Sequence, residues 1–276
     1  MSRRIISTPG APGTARYAGG GFAFSQAVVA RDLVFVSGQS PFDPSDGSVV
    51  GATIQEQARQ CLRNIEAILL AAGSSMDRIV NVSFFLRDPA DFAGMNEEWA
   101  RWFPVDPPAR QGARHWQNLE SLRIAFAVVA VASTSNGRRR KESFVAKRII
   151  NTANAAGTAG HATGAFPYSQ AVVAGGLVFV SGQGPFDPTD GSVVGPTIQE
   201  QTRQCLRNVE AILAAAGSSM NKVASATFIL RDPADFPGMN EEWARWFPVD
   251  PPARQGARHP LDIEGLRISI AVIAEA

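Results

Sequence analysis

The stretch Gly94–His115, GMNEEWARWFPVDPPARQGARH, recurs letter for letter at Gly238–His259. The same offset aligns Arg4-Ile5-Ile6 with Arg148-Ile149-Ile150, and Val129-Ala130 with Ile273-Ala274, without a gap. Such a duplication means two copies of one folding unit rather than one large domain. The first copy is read over 1–132, a linker over 133–147 and the second copy over 148–276. Each copy is long enough to bury a core without disulfide or metal staples. Any site must therefore be sought twice, and positions where the copies disagree carry the most information.

Within one copy, Gln26–Ala30 and Leu33–Gln39 are short β-rich runs around Arg31-Asp32, which reads as a hairpin. Pro41 to Gly47 is turn chemistry. Thr53-Ile54-Gln55-Glu56 is a capping box, and the helix after it lines up Ile54, Ala58, Cys61, Leu62, Ile65, Leu69 and Ala72 on one face. Gly73 fits a left-handed stop. Ile79–Leu86 reads as a strand, and Asp88-Pro89 as the start of a second helix with a buried stripe of Phe92, Met95, Trp99 and Phe103. Trp99, Trp102 and Phe103 read as core or interface residues rather than a stacking platform. Pro107-Pro108 is expected to end that helix, Ala109–His115 to be extended, and Leu122–Ala132 to be a long apolar strand. The order ββαβαββ defines an α+β domain, a mixed sheet with helices on one face.

Composition narrows function by exclusion. Hydrophobic residues are 45% and charged residues 18%, and a net charge of +1 supplies no field for nucleic acid or anionic lipid. No apolar run approaches the ~20 residues of a membrane span, and Met1-Ser2-Arg3-Arg4 leads into no signal-type apolar region. The expectation is a cytosolic protein with neither nucleic-acid nor membrane partners. Cys61 and Cys205 occupy one position on an apolar helix stripe, which suits a reduced core residue. His115, His161 and His259 show no metal-ligand spacing. No glycine-rich dinucleotide fingerprint or P-loop lysine is present, so no cofactor or metal is expected. Arg138-Arg139-Arg140-Lys141 reads as part of a solvated tether.

The motifs resemble the reactive-intermediate deaminase (Rid, YjgF-like) family over nearly the whole of both copies. The matching pieces are Phe24-Ser25-Gln26 and Pro167-Tyr168-Ser169-Gln170 before the first strand of the hairpin, then Val36-Ser37-Gly38-Gln39 and Val180-Ser181-Gly182-Gln183 at its second. Arg87-Asp88, Asn96, Pro108-Ala109-Arg110 and Pro252-Ala253-Arg254 follow in the same order. The resemblance implies two tandem chorismate-mutase-like α+β domains. It also implies three-fold rings with ligand clefts between neighbouring domains, and thus a homotrimer whose six domains mimic a hexamer. It further implies that the Pro-Ala-Arg arginine, Arg110 or Arg254 here, clamps the carboxylate of a small imine or enamine acid while water releases ammonia.

Physical chemistry agrees with that assignment. A planar guanidinium grips a carboxylate with two parallel hydrogen bonds, which lysine cannot reproduce. Gly38 and Gly182 end apolar strands and let a ligand approach the backbone. Alternation puts Arg110, Gly112 and Arg114 on one strand face, so Arg114 and its twin Arg258 are candidates either to add positive charge to the cleft ~13 Å along at ~3.3 Å per residue or to form surface ion pairs. Asn96 and Asn240 are candidates to face the ligand. His115 and His259 would enter only through a bulge or from a neighbouring domain. Glu120 and Glu264 would have to swing in from a loop.

The copies depart from the family pattern in different ways. The tyrosine before Ser-Gln is kept as Tyr168 and replaced by Phe24. The glutamate that positions water in active relatives is Ala125 in one copy and Ser269 in the other, and neither serves as a general base. A cysteine expected two residues after the arginine is Gly112 or Gly256, which is read as enlarging the cleft. The expectation is an enamine or imine deaminase with altered substrate or reaction, aminomuconate-type or a biosynthetic cyclisation. The second copy, with Arg254, Tyr168 and Ser269, is expected to be the more competent site. A non-catalytic carboxylate-binding or scaffold protein is the alternative. Ribonuclease action fits worst, for want of paired histidines or a basic-aromatic surface.

Overall fold

Thr53 and Glu56 form the reciprocal cap that the sequence predicts. The Thr53 hydroxyl accepts from the Glu56 N–H at 3.3 Å, and the Glu56 carboxylate accepts from the Thr53 N–H at 3.0 Å. Helix α1 (Ile54–Ala72) starts there and stops at Gly73, whose φ of 78° is left-handed. The computed structural model describes residues 4–12, 25–30, 32–114, 121–132, 147–156, 167–260 and 263–276. The twin helix α3 (Ile198–Ala216) is capped in the same way by Thr197 and Glu200 and is stopped by Gly217. The shorter helices are α2 (Phe92–Trp102) and α4 (Phe236–Trp246).

The strands of the first repeat are β1 (Arg4–Ile6), β2 (Ala27–Ala30), β3 (Leu33–Gln39), β4 (Ile79–Leu86), β5 (Ala109–Arg114) and β6 (Ile124–Val131). Those of the second are β7 (Arg148–Ile150), β8 (Ala171–Ala174), β9 (Leu177–Gln183), β10 (Val223–Leu230), β11 (Ala253–Arg258) and β12 (Ile268–Glu275). By its packing the protein divides into two units. One comprises Met1–Pro104 with His115–Ala146, the other Val105–Arg114 with Lys147–Ala276. Thus β5 belongs to the second unit.

In the first unit the strands run β1-β2-β3-β6-β4, antiparallel throughout. In the second they run β11-β10-β12-β9-β8-β7, antiparallel except for the parallel pair β10–β11. A parallel neighbour must be reached by a crossover, and α4 supplies it. Each core lies between sheet and helices. In the second unit Cys205, Leu206, Val209, Ile212 and Leu213 of α3 meet Val178, Val180, Ile268, Ile270 and Val272 of the sheet. The strand residues alternate, as a half-buried sheet requires. Cys61 and Cys205 are fully buried, and burial pushes both thiols up in pKa, which agrees with a core role.

Three local readings are corrected. Arg4–Ile6 and Arg148–Ile150 form edge strands absent from ββαβαββ, since three residues are too short for a period-two signal. Asp88 caps a 3₁₀ turn at Pro89–Asp91, accepting from the Ala90 N–H, and α2 proper begins at Phe92. That helix ends at Trp102, before Pro107-Pro108, because Pro104 drives Phe103 out of helical geometry to φ −130°, ψ 66°.

An ion pair with a buried carboxylate ties α2 to α1. The Glu98 carboxylate accepts from Arg59 Nε at 2.8 Å and Nη2 at 2.6 Å, and from the Trp102 indole at 3.1 Å. Glu242, Arg203 and Trp246 repeat the arrangement. The expected linker lies outside the described residues except for Lys147. Among the described residues, no helix is long and apolar enough to cross a membrane.

Candidate active site

The Val-Ser-Gly-Gln motif is a β-bulge. On β9, Val180 pairs with Val272 and Gln183 with Ile270, so three steps on one strand face two on β12. The same shift occurs in β3, where Val36 pairs with Val128 and Gln39 with Phe126. A bulge re-aims the side chains within it. Here it turns the Ser181 hydroxyl to donate to the Ser169 carbonyl at 2.5 Å and to accept the Arg110 N–H at 2.8 Å. The Ser169 hydroxyl donates to the Pro107 carbonyl at 2.5 Å, and Ala109 bridges Ser169 in parallel register. The start of β5 is thus strapped, within the second unit, to the two serines of the family motifs.

Arg110 follows directly and is only 5% exposed. Burial brings its guanidinium down to about 10, with Tyr168 acting in the opposite sense. Burial pushes the half-buried Tyr168 phenol up to about 12, opposed by the charge of Arg110. At neutral pH the pair is therefore a desolvated cation beside a protonated hydroxyl. Gly182 completes the wall. A Cβ there would lie 3.7 Å from Gln111 Cβ and 4.0 Å from Ser269 Oγ, in ordinary contact with both. Ser269 is half-buried on β12, opposite Ile229 of β10.

Arg254 has the same sequence around it and lies on a more exposed strand. Its strand β11 is exposed along its whole length. Its guanidinium carbon lies 5.4 Å from the ring centre of Phe228, 5.8 Å from Phe236 and 5.2 Å from Trp243. The three rings attract the cation through their faces and desolvate it, which lowers its pKa. Trp243 is the twin of Trp99, so a position read as core also holds an arginine. Gly256 corrects another reading. A Cβ there would fall 2.5 Å from the Phe228 ring, so that ring, rather than a cleft, fills the room glycine leaves.

The remaining candidates scatter. Tyr168 exerts its electrostatic influence on Arg110, within the second unit. Arg114, Arg258 and His259 line a cavity of about 640 Å³ together with Arg231, Asp232 and Arg267. Gly38 is exposed, with open space where a Cβ would be. Asn96 and Asn240 are half-buried on α2 and α4, Ala125 is buried on β6, and Glu264 is exposed. Phe24, His115, His161 and Glu120 lie outside the described residues. Sequence reading missed the two serines as anchors of Arg110, although a glycine inside a strand motif is a bulge signal. It also missed the aromatic box of Arg254. No group of three His, Cys, Asp or Glu side chains able to hold a metal occurs among the described residues.

Two α+β units, each with a bulged serine-glycine strand, and two copies of a Pro-Ala-Arg strand define a tandem protein of one fold class. The family model described as Endoribonuclease L-PSP matches residues 20–128 and again 159–276. The chain belongs to this family, that of the Rid (YjgF-like) proteins, as a tandem two-domain member. A RutC family protein of Pyrococcus horikoshii is 44% identical over 120 residues, 42% of this chain and 90% of that protein. The human 2-iminobutanoate/2-iminopropanoate deaminase is 36% identical over 132 residues, 48% of this chain and 92% of its own length. Arabidopsis thaliana Reactive Intermediate Deaminase A, chloroplastic, is 38% identical over 159 residues, 56% of this chain and 75% of that protein. Among solved structures, Escherichia coli TdcF with bound serine is 33% identical with a TM-score of 0.42, over 47% of this chain and 99% of that one.

Proposed function

We propose that the protein is a deaminase of small imine or enamine carboxylates, with Arg110 as the carboxylate clamp and Tyr168 as a hydrogen-bond donor beside it. The observation that carries this reading is the buried Arg110 side chain beside a protonated tyrosine, on a backbone whose N–H is held by Ser181. A cation already stripped of water binds an anion more strongly than a solvated one. The names of the human and Arabidopsis relatives support the same chemistry. In the reaction, water adds to the C=N carbon, both of its protons pass in turn to the nitrogen, and the C–N bond breaks as C=O forms, releasing ammonia and a 2-oxo acid. Ser269 hydrogen-bonds a water without acting as its base.

Ammonia release from freshly generated 2-iminobutanoate, 2-iminopropanoate and an aminomuconate tests the proposal. Arg110→Ala is expected to lower kcat/KM about ten- to hundredfold, from about 1.5–3 kcal/mol per hydrogen bond to a charged group. Arg254→Ala is expected to have the smaller effect. Equal losses would remove the assignment to Arg110. A second reading, carboxylate binding without turnover, is favoured by Ala125 and Ser269, neither of which is a base. Saturable binding of 2-oxobutanoate with no ammonia released from any of the three substrates would select it.

We also propose that three chains assemble. The hexapeptide Ala-Arg-Gln-Gly-Ala-Arg is packed against β9 as β5 and lies uncovered as β11. On β3, Phe35 is 44% exposed, while its twin Phe179 on β9 is 1% exposed. A β3 surface from another chain is the complement that β11 lacks.

A further inference from the structure

The cavity that gathers Arg114 and Arg258 lies in the second unit and plays no part in the chemistry above. It is lined by four arginines, Arg114, Arg231, Arg258 and Arg267, against two aspartates, Asp232 and Asp235. Beyond Arg114 and the Arg267–Asp235 pair, Arg231 and Arg258 face the single carboxylate of Asp232 in a space of about 640 Å³. The wall is rigid. Arg267 Nη1 is held by Asp235 at 2.6 Å, Arg231 Nη1 donates to the Ile263 carbonyl at 2.7 Å, and the Arg231 N–H donates to the Arg267 carbonyl at 2.8 Å. The His259 N–H is bonded to the Leu230 carbonyl at 2.9 Å, and the residue is buried. The repeat preserves the scheme: Arg87, Arg114 and Arg123 are the counterparts of Arg231, Arg258 and Arg267, and Asp91 pairs with Arg123 at the same 2.6 Å.

Clustered guanidinium groups on one concave wall repel one another, and a bound anion relieves that cost. Their planar forks match oxygens that present two or more acceptors at once, as phosphate and paired carboxylates do. Asp235 is already committed to Arg267, so the excess charge is that of Arg231 and Arg258 over Asp232. We propose that this cavity is a binding site for a small polyanion, a phosphate group or a di- or tricarboxylate, distinct from the carboxylate clamp at Arg110. Arg258 and Arg231 are its principal ligands. This site stands on its own residues and does not depend on the deaminase reading.

Calorimetric titration of the full chain at low ionic strength tests it. The background is Arg110→Ala/Arg254→Ala, so that the proposed clamp contributes no heat. Inorganic phosphate and citrate are the two probes, and acetate is the singly charged control. The expected result is saturable binding of phosphate, citrate or both but not of acetate, weakened by added salt. Affinity should fall at least about tenfold when Arg258→Ala is added, and less for Arg258→Lys, which keeps charge but loses the fork. Phosphate alone would identify phosphate esters as the ligand class, and citrate alone polycarboxylates. Absence of saturable binding by either probe would overturn the proposal. So would wild-type affinity in a variant that also carries Arg258→Ala and Arg231→Ala, its fold verified by circular dichroism.

Discussion

Arg110 and Arg254 sit in identical hexapeptides, and their environments make them different groups. Arg110 is buried on a covered strand, beside a phenol and with its backbone N–H on Ser181, whereas Arg254 lies on a strand exposed along its whole length. The contrast fixes a pH dependence. With its pKa lowered to about 10, Arg110 is charged below that pH and loses its proton above it, while Tyr168 keeps its own to about 12. Affinity for 2-oxobutanoate should therefore be level below about pH 10 and fall above it. Titration calorimetry across that range is the check, and a level profile past the fall would remove Arg110 from the clamp. Glu98 gives a second residue-scale prediction. Arg59 depresses its pKa, so the contribution of the pair is full above the ordinary glutamate value of 4.5 and is lost as pH falls through the depressed one. Glu98→Gln should cost about 1–3 kcal/mol in denaturant melts, toward the lower end because Arg59 is 36% exposed and can rehydrate. Arg59→Ala should cost more, since it leaves a carboxylate that is 2% exposed with only the more exposed Arg101 at 3.1 Å and the Trp102 indole.

At the scale of elements, the bulge in β9 links backbone register to chemistry. One extra residue between Val180 and Gln183 lets a single hydroxyl serve both the Ser169 carbonyl and the Arg110 N–H. Ser181→Ala removes both bonds and should weaken carboxylate binding about tenfold, from the loss of about 1–1.5 kcal/mol at the clamp. Ser37→Ala removes the equivalent bond to Ser25 in the first unit and should leave that affinity unchanged. Equal effects in a binding titration would mean that the bulge only stabilises the fold. On β11, Gly256→Ala drives a methyl toward the Phe228 ring and should cost about 1–3 kcal/mol of stability by overpacking. A neutral result in thermal melts would show that Phe228 moves aside freely.

At the scale of the molecule, the duplication shows how far sequence could reach. The helices, their caps and the apolar strands were legible because capping boxes, left-handed glycines and period-two alternation are local signals. Thr53, Gly73 and Leu33–Gln39 all behave as read. The clamp was legible as a residue type at Arg110 but not in its company. Tyr168 lies 58 positions further along the chain, and nothing local tells Arg110 from Arg254. What separates them is which copy of the edge strand is covered: β5 packs on β9, and β11 has no such cover in the second unit. An uncovered parallel edge strand is a pairing liability that folded proteins close. If β3 of another chain closes it, light scattering should give the mass of three chains of 29.4 kDa each. Phe35→Glu places a charge where that contact would form, on a side chain already 44% exposed, so the variant should stay folded and lose the assembly. A wild-type mass of one chain, or a Phe35→Glu mass unchanged from it, would leave β11 to be covered by something other than this protein.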